Sequence, residues 1–552
     1  MSGLECIPAV VDICLRLGKG VFSKMKVLKD ADDRLRALEI RASMTWDAIE
    51  KLLNIVKGLR GLIEEKDAQN QIELLHRLQH LMRHIDSKLK KLKLPDAPVP
   101  SSTKTSAAAL RYAFKENGLE RDLAGIHDWL ACYGQPWLSI MIDPSDAVDQ
   151  QLAAAAADND QDGDVQEETA SLIRAAKHLR KALKSDPEKT VFLDPKGLDI
   201  SSIRPVPFSP VSLAYRASKN EMVLLDPATC KAFLHMEEVM EDIRSFAIKL
   251  RHADPFVLGL LDCKAVLKAD IDPSSSKQDA SVDTKVSLDP HGRSFIFRIP
   301  ESHTKIESVR ARLLNGPLDK HASFSQRLNL ARQLVNAVSS VHLYRFVHKN
   351  IRPETILVLA SGDQKRAKPL LTAGNNNVQE EAAVLVGFDV LRNAGGATRR
   401  VIDNSWEKDI YRHTSRQGPA PDGNYEMRHD IYSVGVCMLE IGLWDSFVAY
   451  PVPHGPAQHG PGLEMDNVDE ASPWRLRDPR HMKEHFLQLA RGGRLEQEMG
   501  QKYCDIVETC LTCLDEGNVD FGHGKEFQDD HGILVKSTYI KKVWVQLCEI
   551  AV

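Results

Sequence analysis

Three clusters carry residue types that could do chemistry through a metal or a thiol. Asp158, Asp160, Asp162, Gly163 and Asp164 stand at positions 1, 3, 5, 6 and 7 of a calcium loop. Position 12 of such a loop needs a bidentate carboxylate, and here it is Thr169, with Glu168 one place early. The run therefore reads as a solvated acidic linker. His76, His80 and His84 recur every four residues, which puts them on one helix face at a spacing that zinc sites use. Arg77, Arg83, Lys88, Lys90, Lys91 and Lys93 surround them, and a cationic field opposes metal binding. That face reads as solvated, and its cations suit an anionic membrane surface or an acidic partner. Cys510 and Cys513, with Cys504 upstream, have the look of a metal or redox clip. Val507, Cys510, Leu511 and Leu514 are at helical spacing, however, and no second Cys or His pair matches them, so core cysteines are expected. No metal and no cofactor is expected from any of the three.

A fourth stretch points to phosphoryl transfer. Phe346-Val347-His348-Lys349-Asn350-Ile351-Arg352-Pro353-Glu354-Thr355-Ile356-Leu357-Val358 resembles the catalytic loop of protein kinases, where His-Arg-Asp is followed by an asparagine. His348, Pro353, Glu354, Ile356 and Leu357 match without a gap. The periodic stretch from Phe324 to His342 resembles the helix that delivers that loop. Val384 to Val390, containing Phe388 and Asp389, resembles the strand entering the Asp-Phe-Gly motif. Tyr411 to Thr414 and then His429 to Val436 resemble the end of the activation segment and the next helix. The resemblance extends, more weakly, over residues 190–552. It implies a bilobal protein kinase-like fold in which His348 and Asp430 brace the loop against the helix beneath it.

The same resemblance implies that the chemistry is missing. The position of the base that accepts the substrate hydroxyl proton is Asn350, an amide. The second-metal asparagine position is Thr355, and the main metal aspartate position is Gly387. Asp226 ends the strand Met222 to Leu225, where a phosphate-pairing lysine is expected; a carboxylate there repels phosphate. His413-Thr414-Ser415 stands in place of Ala-Pro-Glu, and no Gly-x-Gly-x-x-Gly precedes the β-like runs. Phosphoryl transfer is nearly all positioning and charge neutralisation, so losing base and metal ligands together is close to fatal. An inactive, degenerate kinase domain is expected. The rival is an atypical active kinase that recruits Asp389, displaced two places from the usual metal position.

These residues need elements to position them. Leu28, Leu35, Ala42, Ile49, Val56 and Ile63 repeat every seven residues, with Ala31, Leu38, Thr45, Leu52 and Leu59 three places after successive members. After a polar break at residues 64–70, a second seam runs through Leu75, Leu78, Met82, Ile85, Leu89 and Leu92. The spacing predicts two amphipathic helices packed antiparallel in an intramolecular bundle, with a parallel coiled-coil dimer as the rival reading. Leu4 to Phe22 and Ala107 to Leu130 are expected to add helices. The first of these reads equally as a core helix and as a membrane-seeking one. From Thr190 short β-like runs appear at residues 191–193, 222–225, 256–261 and 294–299, and beyond Pro300 the pattern is mostly helical. The expected class is α+β. An all-α bundle (1–150) and an acidic helical connector (151–189) precede a small β-rich lobe (190–300) and a larger helical lobe (301–552).

The chain's 552 residues, 43% hydrophobic and 27% charged, are ordinary for globular protein. The net charge of −5 argues against nucleic acid as partner, but residues 1–94 hold 18 Lys and Arg against 13 Asp and Glu. The first twenty residues lack a basic leader, residue 2 is Ser rather than the Gly that myristoylation needs, and the ten scattered cysteines suit a reducing compartment. A cytoplasmic protein recruited to membrane on activation is the expectation. The basic helical start resembles the fungal HeLo-type bundles of heterokaryon-incompatibility proteins, and the layout is similar to that of mixed lineage kinase domain-like protein. That resemblance implies an effector bundle that self-associates and attacks membranes, regulated by the second domain, in cell death or heterokaryon incompatibility. A plain scaffold without a membrane step is the other alternative.

Overall fold

The computed structural model describes residues 3–26, 33–59, 61–91, 118–157, 167–184, 191–193, 198–228, 236–268, 293–301, 303–315, 322–361, 381–388, 392–393, 405–417, 424–451, 455–464, 478–522 and 533–550. The acidic run 158–164, Leu28, Ala31, Leu92, residues 107–117 and Asp389 lie outside them. The fold is α+β. The described residues separate after Arg180 into two compact units.

The first unit is helical: α1 (Gly3–Met25), α2 (Asp33–Gly58), α3 (Glu65–Lys91), α4 (Leu119–Met141), α5 (Asp146–Ala157) and α6 (Glu167–Leu183). The seam residues Leu35, Ala42, Ile49, Leu52 and Val56 of α2, and Leu75, Leu78, Met82, Ile85 and Leu89 of α3, are buried within this one chain. Their arrangement corrects the expected pairing. Both α2 and α3 pack chiefly on α1 and α4, not on each other, so the two seams sit diagonally across a four-helix core. The reason is the width of the apolar faces. On α2, Leu52, Leu53, Ile55 and Val56 are all buried, which is more than one neighbouring helix can cover.

Helix α1 is a core element. Ile7, Val11, Cys14, Val21, Phe22 and Met25 are buried, and Phe22 stacks on Trp46 with ring centroids 5.4 Å apart. A Cβ on Gly18 would lie 1.9 Å from the Trp46 ring, so the glycine is what lets that indole lie across α1. Two buried indoles satisfy their N–H groups on neighbouring backbone, Trp129 on Leu74 O (2.8 Å) and Trp137 on Leu52 O (3.3 Å). Arg180, buried on α6, donates to the carbonyls of Met141 (3.0 Å) and Ser145 (2.8 Å) and to Asp149 Oδ2 (2.9 Å), tying α6 to the α4–α5 corner. Among the described residues no helix is long and apolar enough to cross a membrane.

The second unit opens with β1 (Phe192–Leu193), β2 (Asp199–Pro205), β3 (Ser212–Arg216), β4 (Glu221–Ala228), β5 (Cys263–Lys268) and β6 (Arg293–Arg298). They form a mixed sheet in the order β1-β5-β6-β4-β3-β2, antiparallel except at the β1–β5 edge. Helix α7 (Met236–Lys249) leads from β4 towards β5 and packs on β5. Residues 256–261 are not a strand. Pro255–Leu258 is a short helix, α8, because Asp254 caps it by accepting from Phe256 N (2.9 Å) and Pro255 supplies the first turn.

Strand alternation gives this sheet two unlike faces. Ala214, Val223, Leu225, Ala265, Leu267 and Ile296 form one apolar cluster. On β4, Leu224 and Asp226 therefore share the other face with Phe295 and Phe297, their cross-strand partners on β6. A carboxylate is thus built into an aromatic face.

The rest of the unit is mostly helical around a second sheet. Strands β7 (Lys305–Ser308), β9 (Ile356–Ala360) and β10 (Glu381–Leu385) pair antiparallel, and β8 (Phe346–Val347) pairs with β11 (Arg392–Asn393). The helices used below are α9 (Val309–Leu314), α10 (Phe324–Leu343), α11 (Trp406–Asp409) and α12 (Met427–Leu443). Every residue of α12 is buried, its charged residues Arg428, Asp430 and Glu440 included. After them come α13 (Pro479–Arg491), α14 (Gly493–Met499) and α15 (Gln501–Leu511). Cys504, Cys510 and Cys513 are buried core thiols, and burial pushes Cys513 up to about 12. No group of metal-ligating side chains occurs among the described residues.

Candidate functional site

Two crossing elements set the site's geometry. Strand β8 and the antiparallel pair β9–β10 hold the loop 348–355 beside the segment 386–388 that follows β10. Helix α12 lies beneath, with Asp430 in its first turn.

Asp430 is the hub of the loop. Its carboxylate accepts from His348 N (2.8 Å), Lys349 N (2.9 Å) and Tyr425 Oη (2.8 Å), and His342 Nε2 lies 3.1 Å away. Burial alone would raise this carboxyl, but the contacts with His342 and the His348 amide overcome it and hold the group below its ordinary value. The tight turn that aims both amides at Asp430 puts Lys349 at φ +68°.

His348 is fully buried. Its Nε2 donates to Val386 O (3.0 Å), so its Nδ1 is the acceptor for Asn350 N (3.2 Å), which fixes one neutral tautomer. Burial lowers it to about 4 against opposing pulls from Asp430 and Val386 O. It lowers His413 to about 3 and His429 well below the usual histidine value. A histidine depressed in the folded state binds fewer protons there than in the unfolded chain between its folded value and 6.5. Its stabilising effect is present above that window and is lost as pH falls through it. Urea unfolding at pH 7, 5.5 and 4.5 is therefore expected to show stability falling by a few kcal/mol, since each tenfold loss of proton affinity on folding is worth on the order of 1.4 kcal/mol. A pH-independent midpoint would contradict the burial of neutral histidines.

Asn350, Thr355 and Gly387 are brought together in one place, bonded to or packed against one another. Asn350 Nδ2 donates to Gly387 O (3.2 Å), and Asn350 Oδ1 accepts from Arg352 Nε (3.0 Å). Thr355, closing the short helical turn that Pro353 begins, donates its hydroxyl to Asn350 O (2.8 Å) and Arg352 O (2.9 Å). Its carbonyl accepts from Val386 N (2.9 Å). Gly387 has φ +84°, and a Cβ on it would lie 2.4 Å from Thr355 Cγ2 and 3.3 Å from Asn350 Nδ2. The space in front of Gly387 is filled by these two side chains.

Asp226 closes the arrangement from the sheet side. It is 0% exposed, and its Oδ2 accepts from Gly387 N (2.8 Å) and Phe388 N (3.3 Å). Two backbone donors offset much of the cost of a carboxylate on an aromatic face. Phe388 then lies among Phe246 of α7 (centroids 4.8 Å), His348 (4.9 Å), Phe295 (6.2 Å) and Phe297 (6.2 Å). Phe246 was not among the residues singled out from sequence; its only signal is its place on the apolar face of a helix.

A second buried group was also missed, the polar cluster around Arg310 of α9. Arg310 Nε donates to Glu354 Oε1 (3.0 Å), and its other nitrogens donate to Glu440, Ser446 and Tyr411. Tyr411 donates to Glu440 Oε2 (2.7 Å), as does Phe447 N to Oε1 (2.7 Å). Glu354 and Glu440 come from the loop and from α12, so one guanidinium joins three elements.

No protein-family model matches this sequence, and no curated protein matches it at a significant level.

Proposed function

We propose that residues 190–552 form a catalytically inactive protein kinase-like module, with a smaller sheet-bearing lobe (190–300) and a larger one (301–552), that regulates the N-terminal helical bundle. The observation that carries this reading is Gly387. The position that would hold the metal has no side chain, its Cβ space is occupied by Thr355 and Asn350, and its N–H is bonded to the carboxylate of Asp226. Asn350 spends its amide on Gly387 O and Arg352, in the place of a base. What is kept is bracing, in the contacts of Asp430 and His348.

The bundle is the effector in this reading, acting through self-association and an anionic membrane surface, as its resemblance to HeLo-type bundles implies. Its basic strip supports this: His76, His80, Arg83, Lys90 and Lys91 of α3 are all exposed. Because α1 contributes buried side chains to the core, any membrane role for α1 requires its release.

The test is a thermal-shift titration of the full chain with ATP, with and without Mg²⁺, alongside an assay for phosphate transfer. No stabilisation is expected, whereas a ligand at 100 times its dissociation constant would add about 2.7 kcal/mol. A Mg²⁺-dependent shift or autophosphorylation overturns the reading in favour of an atypical active kinase.

A further inference from the structure

Helix α7 ends on a lysine that packs against the corner between α10 and β8. Lys249 Nζ donates to Tyr344 O (2.9 Å) and lies 4.7 Å from the centre of the Phe346 ring. Among the described residues no carboxylate stands within ion-pair distance of it, and the strongest charge acting on it is another cation, Arg345. Arg345 is exposed, and its guanidinium has no partner among the described residues. We propose that Lys249 is a modification site for carbon dioxide, which adds to the side-chain nitrogen as a carbamate that pairs with Arg345.

An amine attacks only in its neutral form, and the surroundings of Lys249 disfavour the ammonium. One backbone carbonyl and one ring face hold the side chain in place, without an anion to stabilise its charge. Burial and then Arg345 lower Lys249 to about 8, with Asp242 of α7 opposing. At pH 7.5 about a quarter of such side chains are neutral, against roughly one in a thousand for an ordinary lysine. Desolvation beside a second cation is a general way of activating a lysine as a nucleophile.

Room and charge then select the reactant. The side chain is half-buried and its nitrogen is engaged by Tyr344 O and the Phe346 ring, so a small electrophile is favoured over a bulky acyl donor. An aldehyde needs an acid to expel water on the way to an imine, and no carboxyl is in reach among the described residues. Carbon dioxide needs neither room nor acid. The lone pair of the neutral nitrogen attacks its carbon, a C–N bond forms and one C–O π pair moves to oxygen. The nitrogen releases one proton to water. The product is an N-carboxylate that keeps one N–H for Tyr344 O. Two repelling cations thereby become an attracting pair with Arg345. The negative face of the Phe346 ring, which suits an ammonium, repels the new anion, so the tie of α7 to this corner is loosened. The proposal is independent of the inactive-kinase reading and involves neither a nucleotide nor a metal.

The experiment is chemical trapping on the full chain at pH 7.5, in isotopically labelled bicarbonate equilibrated with carbon dioxide. A carbon dioxide-free buffer of the same ionic strength is the control. A trialkyloxonium salt converts the carbamate to a stable ester, and digestion with mass spectrometry locates the label. Label is expected on Lys249, above that on any other lysine and absent from the control buffer. Arg345→Gln, on an exposed side chain, should melt as the parent does and lower the label about two- to fivefold, the scale of one exposed ion pair. Lys249→Arg keeps a cation for Tyr344 O and Phe346 but should carry no label at that position. No label on Lys249, label no greater than on other lysines, or an unchanged level in Arg345→Gln overturns the proposal. Working without ATP and Mg²⁺ keeps this outcome separate from that of the thermal-shift titration.

Discussion

Gly387→Asp, which puts an aspartate where the resemblance to kinases implies a metal ligand, is expected to lower the stability of the second unit by about 3 kcal/mol and to leave it unable to transfer phosphate. Three effects add. The backbone at φ +84° costs a side chain roughly 1–2 kcal/mol, somewhat less for Asp than for most residues. The new Cβ meets Thr355 Cγ2 at 2.4 Å, and overpacking of that kind costs typically 1–3 kcal/mol. A second carboxylate also arrives beside the one Asp226 already places on the Gly387 amide. The check is urea unfolding of Gly387→Asp against the parent. Adding Thr355→Ala should return the steric part and not the rest. A Gly387→Asp variant as stable as the parent, or one that binds Mg²⁺-ATP, would mean that the space is not filled as described.

On the proposed reading, phosphate transfer is for the same reason not expected to return one residue at a time. Asn350, Thr355, Gly387 and Asp226 bond to or pack against one another, so each is fitted to the others rather than to a missing ligand. Mutually packed substitutions of this kind are non-additive, and any single reversion breaks a contact before it makes one.

Part of this was legible in the chain. The family resemblance paired His348 with Asp430, and the structure has the His348 amide on the Asp430 carboxylate across 82 residues of chain. The identities of Asn350, Thr355 and Gly387 could be read directly. Their packing could not, since it depends on β10 delivering residue 387 against a turn more than thirty places earlier. Asp226 read as a repulsive charge, whereas the register Asp226↔Phe295 makes it a buried acceptor for two amides. The seams of α2 and α3 gave burial but not partners, because periodicity names a face and not what covers it. Phe256 to Leu261 misled for a local reason: an apolar run of strand length was capped by Asp254 and Pro255 into a turn of helix.

Arg310→Met is expected to destabilise the second unit by about 3–5 kcal/mol at pH 8, because it leaves buried Glu440 without its cation and Glu354 with only Arg352 beside it. The side chains of Glu354 and Glu440 are 5% and 0% exposed. In the intact protein they respond oppositely. Burial would raise Glu354, but Arg310 and then Arg352 overcome it and hold it low. Burial prevails at Glu440 and raises it, with Arg310, the Phe447 amide and Tyr411 offsetting only part. The low carboxyl contributes stability that is present above its unfolded value near 4.5 and lost as pH falls. The raised one contributes stability present below that value and lost as pH rises through its folded value. Without Arg310, burial pushes both upward, so the variant's deficit should be greatest at pH 8 and narrow towards pH 5, where the carboxyls take up protons. Urea unfolding of parent and variant at both pH values measures this directly. Adding Glu354→Gln and Glu440→Gln should recover most of the loss, since neutral amides do not need the guanidinium charge. A deficit under about 1 kcal/mol, the scale of an exposed ion pair, would contradict the burial of this network. So would a deficit that is the same at both pH values.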